Sequence, residues 1–462
     1  MDRNETPFLR ALPPRFWPWL IALAGFAFDV AAWWPGQMSF DSAYAWWQAR
    51  GGETTDIAPP ILIFVWRALD TLLEGPALVF ALHLALFWSG LALLADALRL
   101  SRARLLVLML VAAFAPVPWL LRGHVWTDVG LFSALLFVLG ALAQAHATRR
   151  RGWIVATLPV LFYASAVRHN ALPAIAPMAG WMAWLACGSA ASRRRVALAT
   201  IAICAACALA TTAVNSRVQR HVPLWPAAAE WDLAALSVAS GGMLLPSFMI
   251  GPGLDVAELA GAFRHWSNVP MLQHTTHGMR DPFMTDFTAE ELATLRHAWL
   301  SAIRAHPRAW LAHHARQARA LLGVHDPAWP RELIYVDDEF RYRDNPPVAR
   351  NDSWLHRALM QAAARLARTP LLAGWPWLLV GLVAAPFVWR ARRELPDTIA
   401  LAALASAWLY LPAVIVLAPA ELRYLGWPCL ASVLAAALAG LARSAPRDAA
   451  ARIPGSPGRI PR

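Results

Sequence analysis

Ten stretches of the chain are apolar almost without interruption: 15–34, 76–96, 105–121, 129–147, 153–167, 171–187, 196–214, 371–389, 398–418 and 426–442. An apolar helix of about 20 residues matches the hydrocarbon thickness of a bilayer. Water does not tolerate so many such segments in one chain, and the composition agrees: 58% of residues are hydrophobic and 15% charged. The expected fold class is therefore an all-α polytopic membrane protein with one transmembrane helix per run, two of the runs being short.

The formal charge of +12 raises the question of a nucleic-acid partner, and the distribution of the arginines answers it. Basic residues gather between apolar runs: Arg99, Arg102 and Arg104; Arg149 to Arg151; Arg193 to Arg195; Arg390, Arg392 and Arg393; and the tail. If every run crosses once, all these clusters fall on one side, as the positive-inside rule requires of a cytoplasmic face. The reading is a multi-pass protein of a bacterial inner membrane with both termini cytoplasmic and no nucleic acid bound. No small-residue cleavage site follows the first run, which is read as a retained span.

The domain organisation follows. Residues 1–214 form an N-terminal transmembrane module whose first outer loop is 35–75. Residues 215–370, which hold 15 of the 29 acidic residues, form a mostly helical periplasmic domain between spans seven and eight. Residues 371–442 supply the last spans, and 443–462, with "PGSPGRIPR", is a disordered tail. Within the first loop, "IAPPILIFVWRALDTLLEG" has an apolar core too short to span and fits a helix lying in the interface.

Charges at the edge of hydrocarbon are costly unless they face a cavity or a partner. Asp41, just beyond the first run, and Asp128, at the start of the fourth, would share one cleft if those spans pack together; Asp128 has a helix N-cap as its alternative role. Asp56 either orients a substrate or opens the turn at "IAPP". Arg168, His169 and Asn170 emerge beyond the fifth run. Arg423 and Tyr424 lie on the last outer turn, with Glu421 beside them. Two outer arginines next to apolar spans suit a lipid-anchored phosphate, with a snorkelling arginine as the alternative for Arg168. Trp46, with Trp47 and Trp126, would stack on a sugar face.

Other features read more simply. Asp29 faces the bundle interior, a proton relay being the alternative. Cys204 and Cys207 form a C-x-x-C among alanines and read as packing residues. His274 and His277, and the adjacent His313 and His314, have no third ligand at a recognisable spacing and read as surface histidines.

"FDSAYAWWQARGGETTDIAPP" resembles the first outer loop of GT-C-type integral membrane glycosyltransferases, in which an Asp follows the first span and an Asp-x-x-Pro-Pro-like element comes later. "HVWTDVGLFSALL", "AVRHNALPAIAPM", "HPRAWLAHHARQARALLG" and "ELRYLGWP" are similar to later stations of the polyprenyl-phosphate-sugar transferases, a superfamily that includes protein O-mannosyltransferases and aminoarabinose transferases. Ala58 departs from the pattern, because many relatives carry His before the proline pair. The resemblance implies an inverting sugar transfer at the periplasmic face. The donor would be a lipid-linked sugar and the acceptor a lipid or glycan of the envelope. Asp41 or Asp128 would be the base, Asp56, Arg168, His169, Asn170, Arg423, Tyr424 and Trp46 would contact substrate, and the need for a divalent metal stays open. The competing class is a transporter, flippase or non-catalytic assembly protein. A transporter wants ionisable residues near the bilayer midplane, where Asp29 stands almost alone.

Overall fold

The computed structural model describes residues 13, 15–188, 190–324, 342–349, 351–390, 394–417 and 419–443. The segment expected to be a disordered tail, beyond residue 443, lies outside the described residues. Among these residues the chain is helical, with isolated bridges and no strand.

The first part runs through α1 (Phe16–Trp33), α2 (Phe40–Ala49), α3 (Pro60–Asp70), α4 (Ala77–Leu98), α5 (Arg102–Ala113), α6 (Pro116–Leu121), α7 (Thr127–Thr148), α8 (Gly152–Ala166), α9 (Leu172–Cys187) and α10 (Arg193–Asn215). A middle part follows as α11 (Trp225–Ser240), α12 (Val256–Ala262), α13 (Val269–His274), α14 (Ala289–Ala305), α15 (Pro307–Leu322) and α16 (Trp354–Leu366). The chain closes with α17 (Trp375–Arg390), α18 (Leu395–Leu417) and α19 (Gly426–Arg443).

Among the described residues six helices are long and apolar enough to cross a membrane: Phe16–Trp33, Ala77–Leu98, Thr127–Thr148, Arg193–Asn215, Leu395–Val416 and Leu422–Leu441. Gly152–Ala166, Leu172–Cys187 and Trp375–Arg390 are apolar but shorter. The run 105–121, read from sequence as one helix, is two. Pro116 has no N–H to continue the ladder of α5, so the chain turns after Phe114 and restarts as the six-residue α6.

α4 and α7 form the centre of the bundle. Their backbones meet at two glycines: a Cβ on Gly140 would lie 2.3 Å from the Gly90 carbonyl oxygen, and one on Gly90 would lie 2.5 Å from the Phe137 nitrogen. Small residues at such a crossing let helices approach until their backbones touch, which is how packing replaces the hydrophobic effect inside lipid. α10, by contrast, buries only Cys207. Its apolar surface belongs against acyl chains.

Asp29 of α1 is fully buried, as its place inside an apolar run demands, and it is paired. Arg122, after α6, donates from Nε to Asp29 Oδ2 at 2.7 Å and from Nη2 to Oδ1 at 3.0 Å. Trp88 Nε1 adds a bond to Oδ2 at 2.7 Å, and Arg122 Nη1 reaches the Ala113 carbonyl at 2.8 Å. This planar fork ties α1, α4 and the broken α5–α6 together.

The middle part has a core of its own around Leu233, Leu236, Met249, Leu259, Met271 and Leu295. α14 begins with a capping box in which Thr288 Oγ1 accepts from the Glu291 N–H and Glu291 Oε2 accepts from the Thr288 N–H. α15 belongs to both cores: Trp310 packs into this second one, whereas Ala320 and Leu321 belong to the first. α16 sits against the end of α1, where His356 Nδ1 lies 3.0 Å from the Ala32 carbonyl oxygen.

Candidate functional site: an acid and arginine cluster

The loop leaving α1 and the loop entering α7 are stitched side by side. Gln37 N–H donates to the Gly123 carbonyl at 2.8 Å, and Val125 N–H donates to the Gln37 carbonyl at 2.9 Å. Gly36 makes the turn at φ 104°, and a Cβ there would meet Val125 Cγ2 at 2.7 Å, so both the conformation and the space require glycine. Ser42 Oγ then donates to the Val125 carbonyl at 2.6 Å, and Trp126 Nε1 donates to Ser39 Oγ at 2.7 Å. These bonds fix the first turn of α2, which carries Asp41, beside the first turn of α7, which carries Asp128.

Two arginines from elsewhere in the chain reach into this corner. Arg168, beyond α8, donates from Nη1 to Asp128 Oδ2 at 2.7 Å. Arg423, in the 3-10 turn Leu422–Leu425 before α19, pairs through Nη1 with Asp41 Oδ2 and through Nε with Glu421 Oε2. Its Nε also lies 3.8 Å from Asp128 Oδ2. The Tyr424 ring stands between the two cations, 4.7 Å from the Arg168 guanidinium carbon and 5.3 Å from that of Arg423. Asp41, Asp128, Arg168, Arg423 and Tyr424 are thus brought together from four segments. Asp128 does not cap α7; its side chain turns to the arginines instead.

The electrostatics are uneven. Three carboxylates face two guanidinium groups. Asp128 is 2% exposed at its side chain, Arg423 11% and Arg168 13%, whereas Asp41 is 54% exposed. One oxygen of Asp128, Oδ1, has no hydrogen-bond partner among the described residues. Burial, with Asp41 and Asp128 adding to it, pushes the Glu421 carboxyl above the usual range against the pull of Arg423. From sequence, Glu421 stands out only as a neighbour of Arg423. Its signal was there in the adjacency "ELRY".

Other expected members take different places. Asp56 is committed to the middle part, accepting from the Val222 N–H at 2.7 Å through Oδ1 and facing His221 Nδ1 at 2.9 Å through Oδ2. These bonds anchor the loop to the middle part, and the bridge between Thr55 and Arg220 aligns the two segments. His169 is exposed, with Nε2 3.3 Å from the Ile57 carbonyl oxygen, and Asn170 Oδ1 has no partner among the described residues. Trp46 is 2% exposed, its indole N–H donates to Asp70 Oδ1 at 3.0 Å and its ring stacks on Trp66. It faces into α3 because α3 packs along α2. Trp126 is buried beneath Arg423, with ring and guanidinium 5.3 Å apart.

A half-exposed carboxylate, a buried one with a free oxygen, and two arginines held by exchangeable ion pairs can bind a phosphate and accept a proton beside it. Comparison with protein-family models, with curated proteins and with solved structures yields no match.

Proposed function

We propose that this protein is an integral membrane glycosyltransferase that moves a sugar from a polyprenyl-phosphate donor to an envelope acceptor. In this reading the chain crosses the inner membrane ten times with both termini in the cytoplasm. The middle part lies in the periplasm and selects the acceptor. The single observation that carries the reading is the convergence of Asp41, Asp128, Glu421, Arg168 and Arg423 on one corner of an apolar helical bundle.

The chemistry suits these residues. The donor phosphate displaces Asp41 from Arg423, which gives the phosphate a cation and frees the exposed carboxylate. Asp41 then takes the proton of the acceptor hydroxyl as its oxygen bonds to the anomeric carbon from behind. The bond from that carbon to the phosphate oxygen breaks, and the electron pair leaves with the phosphate. Arg423 and Arg168 stabilise the departing charge, and Asp128 orients Arg168. Removal of a general base of this kind costs about two to four orders of magnitude in rate.

Mass spectrometry of envelope glycolipids and polysaccharides tests the reading in cells lacking the protein, restored with the native chain or with Asp41→Asn. The expected result is a glycan shift restored by the native chain and not by the variant. A deletion that changes no glycan sinks it.

A further inference from the structure

Between α11, α14 and α15 lies a second group of titratable side chains, separate from the acid and arginine cluster. Asp232 of α11 is 5% exposed at its side chain and accepts through Oδ2 from Trp299 Nε1 and Trp310 Nε1, each at 2.8 Å. Its other oxygen, Oδ1, faces His314 Nε2 at 3.1 Å and His313 Nε2 at 3.6 Å. His313 and His314 are therefore not surface residues. His313 is 1% exposed and His314 12%, and although they are successive on α15, both rings turn to one carboxylate oxygen on the facing helix.

The protons on these rings can be followed. His314 Nδ1 lies 2.8 Å from Gln317 Oε1, an acceptor, so Nδ1 carries hydrogen and a neutral ring points its Nε2 lone pair at Asp232. In that tautomer two acceptor atoms face each other 3.1 Å apart, a spacing that a shared metal ion satisfies. The Trp299 and Trp310 donors fix the carboxylate, and the Gln317 oxygen fixes the imidazole. Such outer bonds are the kind that orient metal ligands.

We propose that Asp232 Oδ1, His313 Nε2 and His314 Nε2 bind one divalent transition-metal ion of zinc type, with solvent completing its coordination. The three ligand atoms lie within 4.8 Å of one another, and bonds of about 2.0–2.1 Å around a tetrahedral ion bring such atoms to about 3.3 Å apart. Two of the three contacts are already close to that spacing. Two imidazoles and a carboxylate suit zinc by ligand type. The ion would tie α11 to α15, the helix shared by the two cores.

One neighbour opposes loading. Arg316 Nη1 lies 2.7 Å from His265 Nε2, and a guanidinium only donates, so His265 carries its proton on Nδ1 and donates it to His313 Nδ1 at 2.9 Å. That leaves the His313 proton on Nε2, where the metal must bind. Loading moves it to Nδ1, reverses the bond to His265 and detaches the exposed Arg316.

The test is metal content and titration of the purified full chain in detergent, with Zn²⁺ and with Co²⁺ as a visible probe of geometry. One ion per chain is expected. His314→Ala and Asp232→Asn each weaken binding by at least about tenfold, while Arg316→Ala tightens it. His274→Ala, at an exposed site, leaves it unchanged. Unfolding curves in metal-free buffer establish that His314→Ala still folds. A native chain that takes up no ion overturns the proposal. So does binding that survives His314→Ala or follows His274.

Discussion

Asp29 in α1 and Asp128 in α7 are both buried carboxylates that face an arginine, yet the two settings differ in what is left over. Around Asp29 every partner is used: both oxygens take the Arg122 fork, Trp88 adds a third bond, and the guanidinium lies 4.4 Å from the Phe87 ring. Around Asp128 one oxygen has no hydrogen-bond partner among the described residues, and a second arginine, Arg423, is shared with Asp41 and Glu421. A closed pair in low dielectric holds helices in place, because opening it strands a charge. A shared pair at a half-exposed rim can trade one anion for another. The first is architecture, and the second is where the proposed exchange with a phosphate would be inexpensive.

The largest expected effect breaks the closed pair. Asp29→Ala leaves Arg122 buried without a counter-charge and lowers stability by about 3–5 kcal/mol, whereas the double change Asp29→Leu with Arg122→Met returns close to native. Unfolding in detergent measures both, and a stable single variant would remove the contrast. Next in size, Arg168→Lys keeps the charge but loses the fork, and the proposed sugar transfer falls about tenfold with an unchanged unfolding curve. Equal losses of stability at this position would make the rim as structural as the interior.

The Glu421 carboxyl sharpens the comparison through pH. Burial raises it in the folded protein, so the unfolded chain gives up this proton first. Stability therefore falls as pH rises from the ordinary glutamate value up to the raised one, by at most about 1.4 kcal/mol per pH unit. Glu421→Gln removes that slope, which a pH series of unfolding temperatures reads directly; an unchanged slope contradicts the assignment. The smallest effect is at Trp46. Trp46→Phe loses the bond to Asp70 and about 1 kcal/mol of stability, and the KM for the sugar donor stays as it was if the ring is structural.

What could be read in the sequence was local. Apolar length located the helices, Thr288 with Glu291 announced the start of α14, and Pro307 and Gly323 bracket α15. The break after Phe114 was written in Pro116 and Pro118, but hydropathy continues across it and hid the turn. The clustering of Asp41, Asp128, Arg168 and Arg423 was anticipated from their shared place at the ends of apolar runs. Side-chain direction was not. Trp46 points into α3 and Asp56 into the middle part because of packing between segments far apart in sequence. His313 and His314 looked exposed because nothing in "AHHAR" announces Asp232 on a distant helix.

The central claim is that Arg423 exchanges Asp41 for a donor phosphate. The direct measurement is the affinity of the purified, folded chain for polyprenyl phosphate, compared among native, Arg423→Ala and Asp41→Asn proteins. The account predicts opposite signs: Arg423→Ala binds at least about tenfold more weakly, and Asp41→Asn binds more tightly because the competing carboxylate is gone. Weaker binding in Asp41→Asn, or unchanged binding in Arg423→Ala, contradicts it.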